Sequence, residues 1–178
     1  MPSLIIGAGY TSQPGWHSLK QEDLDIRYSN QWARVVAPNS VDNILAEHVW
    51  EHMTFEDGLK AALNCYRALK MHGRLRIAVP DGFHPDKNYI DWVKPGGTWN
   101  PHDHLVLYNY KTLSELLTRA GFRVLLLEWH DERGQLHACQ WSPANGRIFR
   151  SVKHPYAGLL SLIVGARYTS LIVDAIKV

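Results

Sequence analysis

Cysteine is nearly absent. Cys65 and Cys139 are the only two in 178 residues, far apart and in no CxxC spacing, which excludes a disulfide framework and a cysteine zinc site and points to a reducing cytoplasm. Charge of one sign is also scarce. The formal net charge is +2 and no run of Lys and Arg forms a stripe, so no nucleic-acid partner is expected. Long apolar runs are missing. The opening MPSLIIGAG has no basic lead and breaks at glycine, unlike a signal peptide, and AGLLSLIVGA from Ala157 is too short to span a bilayer. Repeats and low-complexity tracts are lacking too. What remains is an ordinary globular composition, 46% hydrophobic and 20% charged, of a length that suits one domain over residues 1–178.

The chain alternates apolar runs with helical patterns. Leu4, Ile5 and Ile6 stop at Gly7-Ala8-Gly9, the pattern of a buried strand entering a tight turn. Residues 16–26 hold one or two short extended pieces, and residues 30–36 suit a short helix. A second buried strand is expected over 41–47, because Ile44, Leu45 and Ala46 are continuous rather than alternating. Thr54 can cap a helix carrying Leu59, Leu63, Tyr66 and Leu69, with Lys70 and His72 near its end, Gly73 as its stop and a strand over 75–80. Residues 81–110 show no period and form a long loop on the substrate side. Thr112 to Glu115 reads as a capping box, followed by strand 122–129 and a last strand from Thr169. The expectation is an α/β fold: a Rossmann-like three-layer sandwich, with helices on both faces of a mostly parallel sheet and an antiparallel C-terminal strand.

His48, Glu51 and His52 spell HxxEH, the metal-holding arrangement of some zinc peptidases. Two histidines four apart share a face only on a helix. Here a strand ends at Glu47 and the next helix starts near Thr54, so residues 48–52 form a strand exit and turn. No third ligand follows on a helix, and no metal is expected from this motif.

LIIGAG, PGW, NSVDNILAEHVWEHM, the helix ending CYRALKMHGRLRIAVPD, DHLVLYNYKTLSELLTRAGF and YTSLIVDAIKV together resemble the class I (Rossmann-like) S-adenosylmethionine-dependent methyltransferases, and within them a bacterial group of predicted methyltransferases. The resemblance implies S-adenosylmethionine as cofactor. It implies that Gly7, Ala8 and Gly9 lie under the methionine part of the cofactor, and that Glu47, His48 and Val49 border it. Glycine suits such a turn because a missing side chain permits close backbone approach. The sequence departs from the pattern at HSLK, where Lys20 stands in place of an acidic ribose ligand; Glu22 or Asp23 can substitute, and Asp25 and Ile26 can face the adenine. The stretch from Gly9 to Asp25 is also short for a full helix and strand.

Methyl transfer needs an acceptor held in line with the methyl group, and a base where the acceptor loses a proton. Asp81, His84, His102, Asp103 and His104 are the candidates, the last three also as a ligand cluster. Tyr89, Trp92, Trp99, Tyr108 and Tyr110 either wall an acceptor pocket or pack the loop onto the sheet. The leading reading is a methyltransferase acting on a small-molecule or glycan-related acceptor. The alternative is a catalytically degenerate domain of the same fold that binds a ligand or protein. The apolar run PYAGLLSLIVGARY suggests either a buried hairpin or a subunit contact, the latter making the protein a homodimer.

Overall fold

Short continuous apolar runs do form the strands at the centre of the structure, a computed structural model that describes residues 2–98, 103–153 and 169–178. In chain order the elements are β1 (Ser3–Ile6), β2 (Trp16–Leu19), α1 (Ser29–Val35), β3 (Val41–Glu47), a 3-10 turn (Trp50–His52), α2 (Phe55–Ala68) and β4 (Leu69–Val79). They continue with α3 (Lys87–Val93), α4 (Tyr110–Arg119), β5 (Phe122–His130), β6 (Leu136–Ala138), a second 3-10 turn (Pro143–Asn145) and β7 (Leu171–Lys177). Among the described residues no helix is long and apolar enough to cross a membrane.

The seven strands form one sheet in the order β2-β1-β3-β4-β7-β5-β6. β2, β1, β3 and β4 pair in parallel, whereas β7 runs antiparallel to both β4 and β5, and β6 antiparallel to β5. β1 to β5 therefore share one direction, and the C-terminal strand is antiparallel as expected. Strand order reverses at β1: the chain passes outward to β2 and then returns to β3 on the other side. Crevices at such reversals, beyond the carboxyl ends of the strands, are where open α/β sheets bind ligands.

Side-chain alternation along the strands builds two cores, one on each face. Leu4 and Ile6, Ile44 and Ala46, Ile77 and Val79, and Leu171 and Val173 join the larger cluster, together with Trp32 of α1, Ala61, Ala62 and Cys65 of α2, and Leu113, Leu116 and Leu117 of α4. Ile5, Leu45, Ala78 and Ile172 point to the opposite face, where Ala8, Leu127, Ile148 and the partly buried Trp16 and Trp141 cover them. The third layer is thus built, among the described residues, from irregular segments and a 3-10 turn rather than from helices. Arg76 anchors it. Fully buried, its guanidinium donates to Asp174 (Nε to Oδ1, 2.7 Å) and to the carbonyls of Ser142 (2.9 Å) and Gly146 (2.6 Å), and packs on Trp141.

Helix ends follow the local chemistry with three differences from expectation. Thr54 caps α2 by accepting from the Asp57 amide (3.2 Å), but α2 ends at Ala68 and Lys70 and His72 belong to β4. Gly73 is not a helix stop: it sits where the β3–β4 register slips, and a Cβ there would lie 2.8 Å from the Lys70 carbonyl oxygen. α4 starts earlier than Thr112, because Asn109 is the cap and Thr112 returns the bond to the Asn109 amide, making the capping box one turn upstream. The expected loop 81–110 also contains α3, capped by Asp86, whose carboxylate accepts from the Asn88 amide. The run at 155–168 lies outside the described residues, and with it the homodimer expectation.

Candidate functional site

Three adjacent parallel strands end at one cavity of about 470 Å³. Gly7 and Gly9 follow β1, Lys20 follows β2, and His48 and Val49 follow β3; Asp25 and Ile26 close the far side. Seven of the nine residues expected to hold a cofactor therefore line it. Gly7 has φ of 60°, and a Cβ on it would stand 2.6 Å from Val49 Cγ2. Only glycine keeps both the left-handed backbone and the floor of the cavity open there. The volume falls within the usual range of small-molecule sites.

Ala8 and Glu47, the other two residues expected at the cofactor, do not line this cavity. The Ala8 amide donates to the Leu19 carbonyl (3.0 Å), turning its methyl into the smaller core. Glu47 faces the other way, where its carboxylate accepts from the amides of Phe149 (3.0 Å) and Arg150 (2.7 Å). Strand alternation accounts for Glu47: it shares a face with Leu45, not with Ala46. Asp25 lines the cavity, yet its carboxylate already receives Arg27 through Nε (2.8 Å) and Nη2 (2.5 Å). The Arg27 guanidinium holds the Asp25 carboxyl below its ordinary range, against the opposing effect of burial. Lys20 is exposed, with Nζ 3.8 Å from Glu22, so the end of β2 carries a loose cation–anion pair instead of a single carboxylate. Residues 7–15 connect β1 to β2 without a helix.

The HxxEH motif opens out at the strand exit. His48 has φ of 57° and Trp50–His52 form a 3-10 turn, so the motif is not an α-helix. His48 is used at both nitrogens: Nδ1 donates to Glu51 Oε1 (2.7 Å) and Nε2 meets Ser170 Oγ (3.1 Å). Ser170 is 1% exposed, so this Ser-His-Glu series cannot meet a substrate. Glu51 is equally buried; burial raises its pKa, but the charge and hydrogen bond of His48 outweigh that and hold it below the ordinary range. Glu51 is thus a carboxylate, and its Oε2 has no hydrogen-bond partner among the described residues. His52 points elsewhere, its Nδ1 donating to the Asp103 carbonyl (3.0 Å) and lying 3.0 Å from Asp103 Oδ1.

Of the proton-handling candidates, Asp103 and His104 reach the site. Asp103 borders both the main cavity and an adjoining one of about 140 Å³, which His48, Glu51, His52, Trp92 and His104 also line. His104 Nδ1 donates to the Val93 carbonyl (2.6 Å), so the missed helix α3 positions it. Asp81 and His84 line neither cavity. Asp81 is fully buried and accepts from the Phe83 amide (3.0 Å) and from the His130 amide (2.7 Å) and ring (3.0 Å). His84 packs edge-on against His130 and accepts from the Asp86 amide (3.2 Å). Both secure the start of the 81–110 segment, and neither is placed as a base. His102 and Trp99 lie outside the described residues. Glu51 and His52 were legible only as part of a zinc motif, and Arg27 and Met53 at the cavity wall carried no sequence signal.

No family model and no curated protein matches the chain. Solved structures do. A SAM-dependent methyltransferase from Archaeoglobus fulgidus superposes with a TM-score of 0.55 at 14% identity, covering 98% of this chain and 84% of that one. A SAM-dependent methyltransferase, possible histamine N-methyltransferase, from Thermotoga maritima superposes with a TM-score of 0.56 at 15% identity, covering 99% and 82%. The chain has the fold of the S-adenosylmethionine-dependent methyltransferases, as the sequence motifs led us to expect.

Proposed function

We propose that the protein is an S-adenosylmethionine-dependent methyltransferase acting on a small-molecule acceptor. The observation that carries this reading is the Gly7–Val49 cradle at the point where strand order reverses. When bound, S-adenosylmethionine supplies an electrophilic methyl group on a sulfonium. Gly7 and Gly9 would lie under its methionine part, while Ile26, Met53 and the methyls of Val49 offer an apolar wall and Lys20, Glu22 and Asp25 the polar rim. Asp103 and His52 sit where the main cavity meets the smaller one, which fits an acceptor entering from the smaller side. There the acceptor is held and water excluded, and positioning supplies much of the rate. The two free cysteines, Cys65 buried and Cys139 exposed, suit a reducing cytoplasm as its setting.

A specific observation favours a second reading, a ligand-binding domain without transfer. The β1–β2 connection has no helix, and Lys20 occupies the end of β2 in place of an acid. Calorimetric titration with S-adenosylmethionine and S-adenosylhomocysteine, on the native chain and on Lys20→Asp, tests both. We expect binding by the native chain and a gain of about tenfold in the variant, since a carboxylate accepts hydrogen bonds that an ammonium cannot. Absence of binding to both chains would sink the enzyme reading and leave the recognition domain.

A further inference from the structure

We propose that Glu51, His52 and His104 form a binding site for one divalent transition-metal cation of the zinc class. One ligand-capable atom from each of the three lies within 4.8 Å of the others. Each residue is also held from behind. His52 Nδ1 is committed to the Asp103 carbonyl and His104 Nδ1 to the Val93 carbonyl, and a carbonyl only accepts, so each ring carries its proton on Nδ1 and keeps the Nε2 lone pair. Glu51 Oε1 is taken by His48, which leaves Oε2. Metal-ligating histidines are commonly oriented in this way, through the second ring nitrogen on a carbonyl or carboxylate.

The independent sign of a ligand is Glu51 itself. A carboxylate 1% exposed with one oxygen lacking any hydrogen-bond partner among the described residues is costly unless something cationic satisfies it. Two imidazoles and one carboxylate are a borderline-soft donor set, suited to zinc, cobalt or iron rather than to calcium or magnesium, and they leave coordination positions open. With metal–ligand bonds of about 2.0–2.2 Å in a tetrahedral arrangement, two donors lie about 3.3–3.6 Å apart, so the trio closes by up to roughly 1.5 Å on an ion, a movement that rotation of the three side chains supplies. Arg150 also lines this cavity, and its charge reduces cation affinity there. The HxxEH motif thus contributes Glu51 and His52, and the fold replaces His48 by His104. Resting on the methyltransferase reading, an ion here would hold an acceptor oxygen at the edge of the main cavity.

The test is a zinc titration of the untagged, metal-stripped full chain without S-adenosylmethionine, with the bound metal counted by elemental analysis and cobalt(II) used for its visible absorption. One ion per chain is expected, with affinity lowered about tenfold or more in both Glu51→Gln and His104→Ala and unchanged in His137→Ala, whose ring instead stacks on Trp129. His104→Ala removes a half-buried ring and keeps the test informative if the buried Glu51→Gln chain unfolds. No stoichiometric zinc in the native chain would overturn the site, as expected if a buried water between Glu51 and Tyr108 satisfies the carboxylate. So would binding unaffected by His104→Ala. Because the cofactor is absent, failure of the metal site and failure of the methyltransferase reading are separate results.

Discussion

Gly7 and Val49 meet across the ends of β1 and β3, so closely that a single added methyl would lie 2.6 Å from Val49 Cγ2. The contact joins the two parallel strands between which strand order reverses, and it sets the depth of the main cavity.

Gly7→Ala therefore meets two penalties, the left-handed backbone and the collision. We expect a stability loss of about 1–3 kcal/mol in urea denaturation, of which the backbone part is roughly 1–2 kcal/mol. Val49→Ala in the same chain should restore the collision part only. S-adenosylmethionine affinity should fall in Gly7→Ala and return in part in the double variant. An additive double variant would mean that the two side chains do not meet as described.

Arg76 and Asp174 are register partners on β4 and β7, both buried. Arg76→Met leaves the carboxylate in the core and removes the clamp on the carbonyls of Ser142 and Gly146. The expected cost is about 3 kcal/mol, the low end for a broken buried pair, because Arg74 still donates to Asp174. Arg76→Met with Asp174→Leu should recover much of it. Equal loss in single and double variants would show that the carbonyl clamp, not the charge, is what Arg76 contributes.

Asp25 gives the pH dependence a sign. Unfolded, it takes up a proton near the ordinary value of 3.8; folded, Arg27 holds it lower. Between the two values the unfolded chain binds more protons, so stability rises with pH there. The contribution is complete above the unfolded value and is lost as pH falls through the folded one. Asp25→Asn should flatten the acid limb of a stability–pH curve within that region and leave the limb above neutrality unchanged. An acid limb as steep as the native one would remove Asp25 from the account.

Much of the frame was determined by the sequence alone, because its signals are local. Leu4 to Ile6 and residues 41–47 form strands where continuous apolar side chains predict them, Thr54 caps α2 within one turn, and the glycines after β1 mark the turn. The expected strand end at Glu47 also broke the HxxEH helix correctly. Tertiary structure alone decided which chemical groups meet. Asp81 reads as a strand-end acid available as a base, yet it accepts from the amide and ring of His130, a distant strand residue; alternation turns Glu47 to the other face, but only the fold brings the amides of residues 149 and 150 to it. His104 joins Glu51 and His52 because α3, unmarked by any period, offers the Val93 carbonyl. Strand and cap signals reside in neighbouring residues and survive in the sequence. A hydrogen bond between residues far apart is specified only once the sheet has set its register, and the polar side chains of the site are held by bonds of that kind.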